Sequence, residues 1–163
     1  YRILADMGVP LLIHQPSYSM LNRWIENDRT IETLGELGVG VIAFSPLAQG
    51  ILSGKYNAKS DLTGTRAAEN YSLSSRSIEP RLLEATEKLA GIARARGQSM
   101  VQLALAWVLR RTEMTSALIG VRTLDQLKDN LGVLSNLTLS PEEIAAIDEA
   151  TKGAQLDNYP LKR

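Results

Sequence analysis

Short apolar runs alternate with longer amphipathic stretches along this chain, and the alternation predicts strands and helices in turn. The run 39–45, VGVIAFS, is continuous and rich in β-branched residues, which is typical of a strand covered on both faces in a parallel sheet. Two further runs of strand character are 10–15, PLLIHQ, and 116–121, SALIGV. The sequence therefore predicts three strands.

Helical patterns occupy most of the remaining sequence. Glycine and proline positions, together with serine caps, predict helices at 1–8, 30–38, 80–97, 99–112, 123–135 and 141–153. Ser140 and Glu143 have the spacing of a capping box at the start of the last helix. By contrast, residues 48–79 are polar and show no period, and a loop of this length is usually functional or disordered.

The order of these elements predicts an α/β fold. Strands that alternate with helices form parallel βαβ units. Three strands are few for such a sheet, and a complete (β/α)8 barrel needs roughly 200 residues or more. We therefore expect residues 1–163 to be the C-terminal part of one larger α/β domain.

The composition argues against several kinds of function. Lys and Arg together number 18, as do Asp and Glu, so the net charge suggests neither nucleic acid nor a membrane surface as a partner. The chain has no cysteine and one histidine, His14, which argues against disulfides, thiolate catalysis and a metal site built on imidazoles. The longest apolar run, 103–109, is much shorter than the ~20 residues that span a bilayer. We expect a cytoplasmic protein without a metal. The sequence leaves open whether the protein forms a homo-oligomer.

Ligands of parallel α/β folds gather where loops leave the C-terminal ends of the strands. After the third strand, Arg122 precedes a helix that begins near Thr123, and a helix N-terminus beside an arginine suits a phosphate group. Without other evidence a structural role is favoured for the helix start, because a capping box alone explains Thr123 and Gln126. His14 could act as a general base, but a lone histidine at a strand end is more often structural. Structural roles are also available elsewhere in these loops: core packing for Phe44, a strand stop for Pro46, close packing for Gly120, and solvation for Lys55 and Arg66.

Four stretches together resemble the aldo-keto reductase superfamily. They are HQPSYSMLNR (14–23), FSPLAQGILSGKY (44–56), GQSMVQLALAWVLR (97–110) and LIGVRTLDQLKDNL (118–131). They occur in family order and at family spacing, and four motifs in register are highly specific. The likeness is greatest to the branch that contains bacterial glyceraldehyde-3-phosphate reductases and the β subunits of voltage-gated potassium channels.

The resemblance implies a (β/α)8 barrel, here its C-terminal part with strands 6 to 8, that binds NADP(H) in extended form across its C-terminal face. At the first two strand ends, the implied cofactor contacts are Gln15 for the nicotinamide carboxamide, Phe44 for the nicotinamide ring, and Ser45, Pro46, Leu47, Gln49 and Gly50 for the pyrophosphate, with Lys55 and Arg66 reaching over from the polar loop. At the third, they are Gly120, Val121, Arg122, Thr123 and Gln126 for the adenosine 2′-phosphate, and Asp129 and Asn130 near the adenine.

The implied function is NADPH-dependent reduction of aldehydes or ketones, with glyceraldehyde 3-phosphate or related small carbonyl compounds as substrates. The family's catalytic Asp, Tyr, Lys and His lie on earlier strands, and no segment of this sequence matches them. Arg122 stands where many relatives carry a small hydroxyl residue. The arginine should still favour a phosphate. The alternative function is that of a non-catalytic, NADP-binding regulatory subunit, as in the channel-associated relatives.

Overall fold

The computed structural model describes residues 1–54 and 80–156. Its centre is a sheet of three strands: β1 (Ile13–His14), β2 (Gly40–Ala43) and β3 (Met114–Ala117). The strands lie in the order of the sequence with β2 in the middle, and both neighbouring pairs are parallel. The predicted parallel arrangement of strands is confirmed.

Helices connect and follow the strands. The α-helices of the described residues are α1 (Arg2–Asp6), α2 (Trp24–Asn27), α3 (Thr30–Glu36), α4 (Pro80–Ala95), α5 (Met100–Val108), α6 (Leu124–Leu131) and α7 (Pro141–Thr151). Within the described residues, β2 is followed by tight turns of 3₁₀ type over Ala48–Ser53, whose backbone is not helical at Gln49 and Gly50, and α6 is followed by a 3₁₀ helix, Gly132–Ser135. The start of the predicted polar loop is therefore a series of tight turns with a kinked backbone, whereas Lys55 and Arg66 lie outside the described residues.

The strands are shorter than their apolar patterns predict, because a strand lasts only while a neighbour pairs with it. β1 keeps two residues of the run 10–15, since its pairing with β2 begins where Ile13 lies opposite Gly40. β3 begins earlier than predicted, at Met114, and ends earlier, at Ala117. Its partner β2 ends at Ala43, so the apolar residues after position 117 have no strand beside them in the described sheet.

The helix limits follow the caps more closely than the apolar pattern. Ser99 and Ser140 both accept a hydrogen bond from the backbone N–H of the third helical residue, and both capping boxes are complete. α5, however, ends at Val108 instead of continuing to residue 112. The sequence does not predict α2, because its four residues are too few to show a period.

The core lies between the sheet and the helices. α5 is buried along almost its whole length, as its apolar sequence predicts, and it packs against α4, α6 and β3. On β2, Val41 and Ala43 are fully buried, while Gly40 and Ile42 on the other face are partly exposed. The prediction that β2 is covered on both faces therefore holds for one face within the described residues.

The described residues also bear on membrane and metal chemistry. Within 1–54 and 80–156, no helix is long and apolar enough to cross a membrane. In the same ranges, no group of three or more His, Asp or Glu side chains could hold a metal ion.

Candidate functional site

The C-terminal ends of the three strands meet at one edge of the sheet. Beyond β1 and β2, Ser17 and Phe44 form a parallel bridge, and the Phe44 N–H donates to the Pro16 carbonyl at 2.9 Å. On the other side of β2, the Leu118 N–H donates to the Ala43 carbonyl at 2.8 Å. The segments that follow the strands therefore leave the sheet side by side, where parallel α/β folds bind ligands.

The turn after β2, residues 45–50, has an uncommon backbone. Ser45, Ala48 and Gln49 have positive φ angles of 54°, 46° and 58°, and Gly50 follows at 99°. A left-handed conformation costs a non-glycine residue roughly 1–2 kcal/mol, and such strain is typically kept at functional sites. The Ala48 N–H donates to the Ser45 carbonyl and the Gly50 N–H to the Leu47 carbonyl, both at 2.9 Å. Turns of this kind direct backbone N–H groups into a concave surface that suits anions.

In this turn, Pro46 and Leu47 are anchored in the core, whereas Gln49 carries a polar atom that has no partner among the described residues. Pro46 is buried, and Leu47 packs against both apolar clusters of the core. Gln49 Oε1 is buried and accepts no hydrogen bond from the described residues. A buried acceptor without a donor costs about 1–3 kcal/mol, and a ligand that supplies a donor would remove that cost.

The segment after β3 is open to solvent. Gly120, Val121, Arg122 and Thr123 are all exposed. A Cβ atom added at Gly120 would meet no atom within 4 Å, so close packing does not require this glycine among the described residues. Arg122 forms no ion pair with any residue in the described ranges. Among the described residues, this segment therefore offers a cation without an ion-pair partner and open space beside Gly120.

The N-terminus of α6 is capped on one side only. Thr123 Oγ1 accepts from the Gln126 N–H at 3.2 Å, as predicted. Gln126 Oε1, however, accepts from the Arg122 N–H at 2.8 Å and not from the Thr123 N–H, so the predicted capping box is half formed. The N–H groups of Leu124 and Asp125 have no acceptor within the helix and suit a phosphate. The Asp125 carboxylate, in the first turn, opposes an anion, whereas the Arg122 guanidinium favours one.

Asp129 and Asn130 lie one turn beyond Gln126 on the same face of α6. Asp129 Oδ1 accepts from Gln102 Nε2 at 2.9 Å, and Oδ2 accepts from Ser99 Oγ at 3.1 Å. Asn130 is only 5% exposed, and its side chain makes no hydrogen bond with the described residues. The sequence prediction missed Gln102, whose spacing from Ser99 indicates a helix cap but not a contact with α6.

At the end of β1, Gln15 is exposed and His14 is half-buried. Tyr18, a few residues on, is fully buried; its hydroxyl donates to Glu26 and accepts from Arg110 Nη1 at 2.8 Å. Burial, as the largest cause, raises the pKa of Tyr18 well above its ordinary value of 10.0. Tyr18 is therefore a neutral, fixed group, and Gln15 is the polar side chain that this strand end presents to solvent.

Comparison with known proteins gives consistent matches. The model of the aldo/keto reductase family matches residues 1–152. The L-glyceraldehyde 3-phosphate reductase of Escherichia coli (strain K12) is 41% identical over 160 residues, which cover 95% of this chain and 46% of that protein. An uncharacterized oxidoreductase of Bacillus subtilis (strain 168) is 34% identical over 88% of this chain and 41% of its own length. A probable voltage-gated potassium channel subunit beta of Oryza sativa subsp. japonica is 31% identical over 84% of this chain and 43% of its own length.

The family model and the individual relatives match this chain to different extents. The chain spans less than half the length of the curated relatives named above. The family model, in contrast, covers nearly all of this chain, and the predicted resemblance is confirmed. The chain belongs to the aldo/keto reductase family.

Proposed function

We propose that this chain supplies the NADP(H)-binding part of a reductase of aldehydes or ketones. The observation that carries the proposal is the edge of the sheet, where the strained turn at 45–50 and the N-terminus of α6 both present polar groups that have no partner among the described residues. Similarity to an L-glyceraldehyde 3-phosphate reductase favours a small carbonyl compound as substrate. In this proposal β1, β2 and β3 are strands 6 to 8 of a (β/α)8 barrel, the fold of the family.

The two ends of the edge would bind different parts of the cofactor. The backbone N–H groups of the turn at 45–50 that donate no hydrogen bond within the turn suit the pyrophosphate. Gln49 Oε1 can only accept a hydrogen bond, so it suits a ribose hydroxyl better than a phosphate oxygen. Beyond β3, Arg122 and the first turn of α6 suit the 2′-phosphate that distinguishes NADP(H) from NAD(H).

The nicotinamide would lie between the ends of β1 and β2. Gln15, which is exposed there, has both a donor and an acceptor for the carboxamide. Phe44 follows β2 directly and would stack on the ring, which fixes the face that is open to the substrate. The proposed role of Lys55 and Arg66 is to contact the pyrophosphate from the polar loop.

When bound, NADPH supplies the hydride for the reduction. The residues of this chain orient the ring, but the alkoxide that forms also needs a proton. Tyr18 is unsuited to donate one, because its hydroxyl is buried and already bonded to Glu26 and Arg110. Because no segment of this sequence matches the family's catalytic residues, we place the proton donor outside residues 1–163, and we expect these residues alone not to reduce carbonyl compounds.

The second candidate function is an NADP-binding regulatory subunit without turnover. It is favoured by the 31% identity to a probable potassium channel subunit beta of rice. Both functions use the same nucleotide site, so binding alone does not separate them. Turnover does, because only a reductase oxidises NADPH when an aldehyde is added.

Fluorescence titration of the complete natural protein that carries this chain tests the proposal. We expect NADPH to bind more tightly than NADH, and Arg122→Ala to lose ~1.5–3 kcal/mol of NADPH affinity, the usual range for a hydrogen bond to a charged group. Arg94→Ala is the control, since Arg94 is an exposed arginine on α4. Equal affinities of the unaltered protein for NADPH and NADH would contradict the proposal. Steady-state oxidation of NADPH with a reactive aldehyde then separates the two functions.

A further inference from the structure

The carboxylate of Asp129 is held by the N-terminus of a different helix, α5. Gln102 Nε2 donates to Asp129 Oδ1 at 2.9 Å and to the Asp129 carbonyl at 3.0 Å. Ser99 Oγ donates to Asp129 Oδ2 at 3.1 Å. Each carboxylate oxygen thus receives one hydrogen bond from α5, and the side chain has a fixed direction.

Gln102 is itself fixed by the capping box of α5. Its Oε1 accepts from the Ser99 N–H at 3.3 Å, and its own N–H donates to Ser99 Oγ at 3.1 Å. With Oε1 committed to the cap, the Nε2 group must face α6. Gly132 makes room for it, because a Cβ atom at that position would lie 2.5 Å from Gln102 Nε2.

The remaining capacity of Asp129 defines the ligand group it can take. An ionised carboxylate only accepts hydrogen bonds, and its two oxygens have about four acceptor positions. Gln102 and Ser99 occupy one on each oxygen, so each oxygen keeps an acceptor position that a donor from a ligand could fill. Beside it, Asn130 is 5% exposed and makes no side-chain hydrogen bond with the described residues. An acceptor next to an amide that has no partner among the described residues matches the edge of a purine that carries an amino group.

We propose that Gln102 and Ser99 are positioning residues, which hold the Asp129 carboxylate so that it accepts a hydrogen bond from the 6-amino group of the adenine in NADP(H). The inference rests on the proposed function, since it assumes that the nucleotide lies along α6. Asp129 lies about one helical turn, ~5.4 Å, beyond Gln126 and the phosphate-binding end of the helix. That separation suits a base next to the ribose whose phosphate binds at Arg122.

The test compares NADPH with its hypoxanthine analogue, in which an oxygen replaces the 6-amino group. We expect the unaltered protein to bind NADPH about tenfold more tightly, as for one hydrogen bond to a charged group. Gln102→Met keeps the length of the side chain but removes its hydrogen bonds, and should reduce this preference to about threefold or less. Ser99→Ala should reduce it as well.

Ser140→Ala is the matched control, because Ser140 forms the same kind of capping box on α7 and has no contact with Asp129. It should lower thermal stability about as much as Ser99→Ala and leave the preference for adenine unchanged. A merely structural role of Ser99 would give equal preferences in these two variants and would overturn the proposal.

The possible failures can be told apart. Tight NADPH binding without discrimination against the hypoxanthine analogue overturns this inference and leaves the proposed function intact. Full discrimination by Gln102→Met shows that Asp129 needs no positioning, and also overturns it. Failure of the unaltered protein to bind either dinucleotide overturns the proposed function and this inference together.

Discussion

The guanidinium of Arg110 lies over the ring of Trp107, with its central carbon 3.7 Å from the ring centroid. Trp107 is fully buried within α5, and Arg110 also donates to its carbonyl at 2.8 Å. The same guanidinium donates to the Tyr18 hydroxyl at 2.8 Å and to Glu26 Oε1 at 2.6 Å. One side chain thus joins the end of α5 to α2 and to the segment that follows β1, and so supports the strand end that carries Gln15.

Replacing Arg110 should therefore be costly. Arg110→Met removes the nearer cation from a largely buried ion pair and leaves Glu26 with only the longer contact to Arg111 Nη1 at 3.9 Å, so it should lower the free energy of unfolding by about 3 kcal/mol. Urea denaturation followed by circular dichroism measures the change. Lys88→Met is the control, because Lys88 pairs with Glu84 on the exposed face of α4 and should leave the midpoint almost unchanged. A loss for Arg110→Met no larger than that of the control would contradict the assignment.

Because the phenol of Tyr18 is buried, the stability of the protein should fall more steeply with rising pH above pH 10. Burial raises the pKa of Tyr18 in the folded state above 10.0, so above pH 10 the unfolded chain releases a proton that the folded chain keeps. The contribution is complete below pH 10 and declines as the pH rises toward the folded pKa. Thermal midpoints measured between about pH 9 and pH 11.5 should fall faster for the natural protein than for Tyr18→Phe. Parallel curves would show that the hydroxyl is accessible to water.

Tyr18→Phe also tests the chemistry of the site. If Tyr18 is structural, the variant of the complete protein loses stability, by about 1 kcal/mol for a hydrogen-bonded hydroxyl, but keeps its turnover of NADPH with an aldehyde. Normal turnover per folded molecule is the expected result. A loss of several orders of magnitude would make Tyr18 the proton donor and would overturn its assignment as a neutral, fixed group.

Glu143 should contribute to stability on the acid side. The Ser140 N–H, as the largest cause, and the Arg96 guanidinium lower the pKa of Glu143 below the ordinary 4.5. Its contribution is therefore present above pH 4.5 and is lost as the pH falls through the folded pKa. Glu143→Gln keeps an acceptor for the cap but has no charge to lose, so its denaturation midpoint should fall less between pH 5 and pH 3. Glu87→Gln, an exposed carboxylate on α4, serves as control and should follow the natural protein.

The features that sequence alone predicts are the ones encoded locally. The run around Val41 indicates β2 because period and residue type agree, and Ser140 indicates a helix start because a cap needs only its own first turn. The contact of Gln102 with Asp129 joins residues 27 positions apart, and no local pattern contains it. The left-handed backbone at Gln49 is equally hidden, because glutamine is not a residue that signals positive φ. The local patterns therefore predict elements and candidate loops, but not the strain and the cross-links that shape the site.

Gln49 should show a conflict between stability and binding. Gln49→Gly relieves a φ of 58° and removes a buried acceptor that has no partner among the described residues, and these two gains together outweigh the greater flexibility of glycine in the unfolded chain. We expect the variant to be about 1 kcal/mol more stable without nucleotide, yet to bind NADPH roughly fivefold more weakly because the acceptor is lost. Arg29→Gly is the matched control: Arg29 has a φ of 61° at the start of α3, so this variant should lose the same strain without any change in NADPH affinity. Thermal unfolding and NADPH titration of both variants decide the matter. If Gln49→Gly binds NADPH as tightly as the natural protein, the acceptor has no part in the site; if it is less stable, the strain is not stored in this turn.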